Sequence, residues 1–92
     1  MELPEGYGLE EVGTGVRVLK RPNGYVLAAF GSAVKPKNIQ DVAKADERYL
    51  KAKELNDRFG LAGDPESVFM FASDVKKARE EYLLALEAAY RE

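Results

Sequence analysis

Val16-Arg17-Val18-Leu19-Lys20-Arg21-Pro22-Asn23-Gly24-Tyr25-Val26-Leu27-Ala28-Ala29-Phe30 is the stretch on which the fold turns. At its centre Pro22 presets the first turn dihedral, Asn23 tolerates the second and Gly24 supplies a positive φ. A type I turn closed by a glycine bulge is therefore predicted between two apolar-rich runs. With Arg21 opposite Tyr25, regular pairing sets Val18 across from Ala28, Val16 across from Phe30, Leu19 across from Leu27 and Arg17 across from Ala29. One face then holds Val16, Val18, Val26, Ala28 and Phe30 with Lys20 at the rim, and is expected to be the core side. The opposite face holds Arg17, Leu19, Arg21, Tyr25, Leu27 and Ala29.

Upstream, Tyr7 and Leu9 alternate with Gly8 and Glu10, so residues 7–12 add a third strand through Gly13-Thr14-Gly15. Downstream, Ser32 to Lys35 form a connector and Pro36 suits a first helical turn, with Asn38 and Asp41 as an alternative cap and third position. Ile39, Val42, Ala43, Tyr49 and Leu50 fall on one side of this helix. Ala45, Ala52, Leu55 and Phe59 make a second stripe, so the helix needs two neighbours. Gly60 or Gly63 ends it. Asp64-Pro65-Glu66 is a helix start, and no Gly or Pro follows it. Val68, Phe71, Val75, Ala78, Tyr82, Ala85 and Ala89 keep an unbroken three-and-four spacing, which favours one helix over about 65–90. A short fourth strand at 67–72 is the alternative.

The expected architecture is α+β: a three-stranded antiparallel β-meander followed by an antiparallel two-helix hairpin. One domain spans 1–92, with the sheet in 1–35, the first helix in 36–60 and the second in 64–92.

Composition narrows the chemistry. The 92 residues are 46% hydrophobic and 33% charged with net charge −2, which excludes a disordered tail and a collagen-like chain. No Cys and no His are present, so disulfides, thiolates and imidazoles are out of reach. Ser32, Ser67 and Ser73 have no His to activate them. Gly6-Tyr7-Gly8 and Gly13-Thr14-Gly15 do not lead into a helix as a phosphate loop requires. No catalytic, cofactor or metal residue is assigned, and the chain is expected not to be an enzyme. Asp46, amid the apolar stripe, is read as a structural carboxylate accepting a hydrogen bond from a backbone amide or a tyrosine. The acidic start lacks a secretory signal, and the longest uncharged run, Pro22 to Val34, is 13 residues, too short to span a bilayer. A cytoplasmic location without membrane association is the expectation. Abundant Glu, Lys and Arg give a thermophile-like composition.

The near-neutral total hides segregation. Residues 1–16 carry four acids and no base, whereas 17–37 carry five bases and no acid. Two uses follow. Arg17, Leu19, Arg21, Tyr25 and Leu27 form a candidate protein-contact set, with the arginines and the tyrosine as anchors. Arg17, Lys20, Arg21, Lys35 and Lys37 form a candidate nucleic-acid surface. Five phosphate contacts would give a salt slope of only about −4.5, and the net acidic body opposes nonspecific binding. Second apolar stripes on both helices, including Phe69, Leu83 and Leu84 on the last, point to self-association as a two-fold dimer. The leading expectation is a non-enzymatic interaction domain, adaptor or regulatory in role and homodimeric. The alternative is a small nucleic-acid-binding module.

Overall fold

The computed structural model describes residues 2–59 and 65–91, with side chains for 2–58 and 72–91. Three strands, β1 (Gly8–Val12), β2 (Val16–Lys20) and β3 (Val26–Gly31), precede two helices, α1 (Pro36–Phe59) and α2 (Pro65–Tyr90). The sheet runs in the order β1-β2-β3 with both pairings antiparallel. This is the expected α+β meander and helical hairpin. Residues 67–71 are helical backbone within α2, so the fourth strand is not formed. Gly60, Gly63 and Asp64, assigned above to a helix end and a cap, lie outside the described residues.

The hairpin turn forms as its residues dictate. Gly24 has φ of 87°, its amide donates to the Arg21 carbonyl at 2.9 Å, and the Arg21 amide donates to the Tyr25 carbonyl at 2.9 Å. Asn23 Oδ1 accepts from the Tyr25 amide at 3.0 Å. Pro36 opens α1, and the Lys35 carbonyl accepts from the amides of Asn38 and Ile39.

The sheet buries Ala28 and Phe30, as expected, but β2 turns the other way: Leu19 joins them on the core face, and Val16, Val18 and Val26 do not. Arg21 does pair with Tyr25 and Lys20 with Val26, but Leu19 pairs with Ala28, so Leu27 is an extra residue. This β-bulge moves every later partner by one position: Val18 meets Ala29, Arg17 meets Phe30 and Val16 meets Gly31. Leu19, Ala28 and Phe30 thus share one face, and they join Val34, Ile39, Val42, Ala43 and Ala89 in the core. Leu19 is completely buried, while Val16 and Val26 are 40% and 51% exposed.

Flanking arginines suit the inner face because their long stems cover apolar surface while their heads reach hydrogen-bond partners. Arg17 Nη2 donates to the carbonyls of Gly31 (3.2 Å) and Val34 (2.8 Å), tying β2 to the β3–α1 connection. Near the end of α2, the Tyr90 ring stacks on Phe30 with centroids 5.5 Å apart, and its hydroxyl donates to the Ala29 carbonyl at 3.0 Å on the edge strand.

The expectation that α1 needs two neighbours holds over its first half. Its fully buried side chains, Ile39, Val42, Ala43, Ala45 and Asp46, all lie there. Beyond Asp46 no described α1 side chain is fully buried, and the molecule measures 51 × 25 × 18 Å. Acid-first pairs Glu47–Lys51 and Glu54–Arg58 line the outer surface of α1. Among the described residues no helix is long and apolar enough to cross a membrane.

Candidate functional site

Two constellations flank the sheet, one inside and one outside. The inner one centres on Asp46, whose carboxylate is fully buried. Arg21 donates from Nε to Oδ2 at 2.9 Å and from Nη2 to Oδ1 at 2.7 Å, and the Tyr7 hydroxyl donates to Oδ2 at 2.6 Å. The bidentate pair bridges the hairpin turn to the middle of α1. Tyr7 reaches it because Gly6, with φ of 83°, passes against the turn. A Cβ on Gly6 would lie 2.8 Å from Pro22 Cβ and Cγ, so both the dihedral and the space favour glycine. The Arg21 guanidinium also lies 4.9 Å from the centroid of the Tyr25 ring.

Electrostatics follow from this packing. Burial, and then the hydrogen bond to Asp46, push the Tyr7 hydroxyl well above the ordinary phenol range. Burial, reinforced by the Asp46 charge, raises Tyr82, whose ring stacks on Tyr49. The hydrogen bond to Asp46 raises Arg21 further. The cluster therefore holds a protonated phenol beside the bidentate Arg21–Asp46 pair. Three donors occupy the Asp46 carboxylate, which has no surface for a substrate to reach. Acceptance from a tyrosine was legible from the sequence. Arg21 as partner was not, because regular pairing placed it on the outer face.

The candidate contact set is redistributed accordingly. Leu19 is core. Leu27 is half-buried and packs against the core, Arg21 is committed to Asp46, and Arg17 to backbone carbonyls. Only Tyr25, 58% exposed, remains at the surface as an anchor. The basic surface is likewise divided between the two faces. Arg17 and Arg21 point toward the helices, while Lys20 lies outside and donates to Glu10 at 2.5 Å. Lys35 and Lys37 are exposed at the start of α1. The Lys20 hydrogen bond holds the Glu10 carboxyl below its usual range.

The outer constellation is what the sequence reading missed. Among the described residues no helix covers this side. Reading across the strands, Gly8, Lys20 and Val26 form one row, Glu10, Val18 and Ala29 the next, and Val12, Val16 and Gly31 the third. The only charges in this three-by-three field are Glu10 and Lys20, on adjacent strands and diagonally placed. Val12, Val16 and Val26 are each at least 40% exposed. One sequence signal hinted at this face: the run from Tyr25 to Phe30 does not alternate, as expected for a strand carrying a bulge. Among the described residues no group of three or more acidic side chains could hold a metal ion.

Fold and surface define a small α+β protein: a single-layer meander backed by a helical hairpin, with an uncovered valine face. In comparisons with protein-family models, curated proteins and solved structures, nothing matches this chain.

Proposed function

We propose that the chain is a non-enzymatic protein-interaction domain, adaptor or regulatory in role, whose contact surface is the outer face of the sheet. The observation that carries this reading is a three-stranded sheet with both helices packed on one side, leaving Val12, Val16, Val18, Val26 and Ala29 on the other. A contiguous apolar field rimmed by polar groups is the usual mark of a protein contact. The absence of Cys and His from the sequence and the saturation of Asp46 support a role without catalysis. The nucleic-acid alternative loses support because Arg17 and Arg21 face inward and are already bonded.

A photo-crosslinking residue in place of Val26, introduced in cells of the natural host, tests the reading. Adducts to a discrete polypeptide are expected from this position. They are not expected from Leu84, which is 64% exposed on α2. Adducts from neither position, or equal smears from both, contradict it.

A further inference from the structure

We infer that the outer sheet face binds a second copy of this chain, the two sheets crossing at close to a right angle about a two-fold axis through Val18. The inference rests on the reading of that face as a contact surface, and three observations carry it.

The first is exposure. Val12, Val16 and Val26, one on each of the three strands, are 49%, 40% and 51% exposed on this face, an open apolar field that an identical face would cover.

The second is the pattern of the field. In an isologous contact the two-fold operation must bring the patch onto itself with complementary groups. An axis along the strands stacks Lys20 on its own copy, and an axis across them stacks Glu10 on its copy. An axis along the diagonal from Gly8 through Val18 to Gly31 avoids both. It brings Lys20 over Glu10 of the second copy, Val26 over Val12 and Ala29 over Val16, with Val18 meeting itself. Strand spacing of about 4.8 Å and a two-residue repeat of about 6.7 Å leave these matches within about 3 Å, which side chains can span. Strands related by a diagonal axis cross near 90°, one of the two standard sheet-packing modes.

The third is the charge arrangement that results. Glu10 and Lys20 already pair within one chain. Crossing two copies closes a ring of four alternating charges in which each lysine has two carboxylates, and its formation selects the diagonal register from the alternatives. The two glycines on the axis let the backbones approach.

Sedimentation velocity on the full chain, over a concentration series, tests this with Lys20→Glu and Glu10→Lys. Both residues are solvent-exposed enough for the variants to fold, which circular dichroism checks. The wild type should reach twice the 10.2 kDa chain mass at high concentration. Each variant alone, carrying four like charges at the ring, should remain at the chain mass. An equimolar mixture of the two should recover the dimer, because Glu10 and the introduced Glu then face the introduced Lys and Lys20. A wild type that stays monomeric overturns the inference, as do single variants that dimerise like the wild type and a mixture that does not. A monomeric wild type with crosslinks from Val26 to a different polypeptide overturns the second copy and leaves the interaction reading standing.

Discussion

Replacing Asp46 with Ala should cost about 3–5 kcal/mol of folding stability, the usual effect of removing one partner from a buried ion pair. A chain of 92 residues has about 5–14 kcal/mol in total, so this single change should bring it near the unfolding threshold. The cost comes from what is left behind. Arg21, with its side chain 19% exposed, loses both carboxylate contacts. The Tyr7 hydroxyl loses its acceptor, worth about 1 kcal/mol more. Because the penalty is one of unpaired burial, it should be relieved by removing all three polar groups together. The triple variant Tyr7→Phe, Arg21→Met, Asp46→Leu should recover most of the loss in urea unfolding curves, since well-packed apolar replacements of buried pairs are often neutral or stabilising. An Asp46→Ala variant within about 0.5 kcal/mol of the wild type would show that the carboxylate is not the tie between sheet and helix.

Leu19→Ala should destabilise by about 2–5 kcal/mol, the range for emptying a well-packed core site. Leu19 sits at the centre of the middle strand with no exposed surface, against residues of β3, α1 and α2. Val16→Ala, three residues away on the opposite face and 40% exposed, should cost about 1 kcal/mol or less, mostly lost strand preference. Equilibrium denaturation of the pair reads the face assignment directly. Had Leu19 been a surface anchor, as regular hairpin pairing suggests, the two losses would be similar and small.

Turn chemistry and helical spacing made most of the fold legible. Pro22-Asn23-Gly24 fixes its hairpin by local dihedral preferences, and the three-and-four spacing from Val75 through Ala89 continues a single helix. What the sequence concealed was one inserted residue. A bulge at Leu27 does not change which strands pair, so the topology survived, but side-chain direction has a period of two and one residue inverts it. Ala28 and Phe30 kept their expected places in the core and Tyr25 its place at the surface, but the side chains of β2 and of Val26 were assigned to the wrong side of the sheet. Arg17 and Arg21 looked like surface cations because nothing local reveals the carbonyls of Gly31 and Val34, or the Asp46 carboxylate 25 residues away. The buried acid was a usable clue. Asp46 in an apolar stripe demands a cation or several donors, and a sheet face carrying Arg21 could supply them.

The valine face is the claim on which the functional account depends, and the natural absence of cysteine makes it directly measurable. Thiol labelling of Val16→Cys and Leu19→Cys, each at low micromolar concentration under native conditions, reports which side of β2 meets water. The account predicts that the Val16→Cys thiol reacts at close to the rate of an unfolded peptide, while the Leu19→Cys thiol is slowed by orders of magnitude and reacts only through opening of the fold. Equal rates, or protection at position 16 with rapid reaction at position 19, would contradict it.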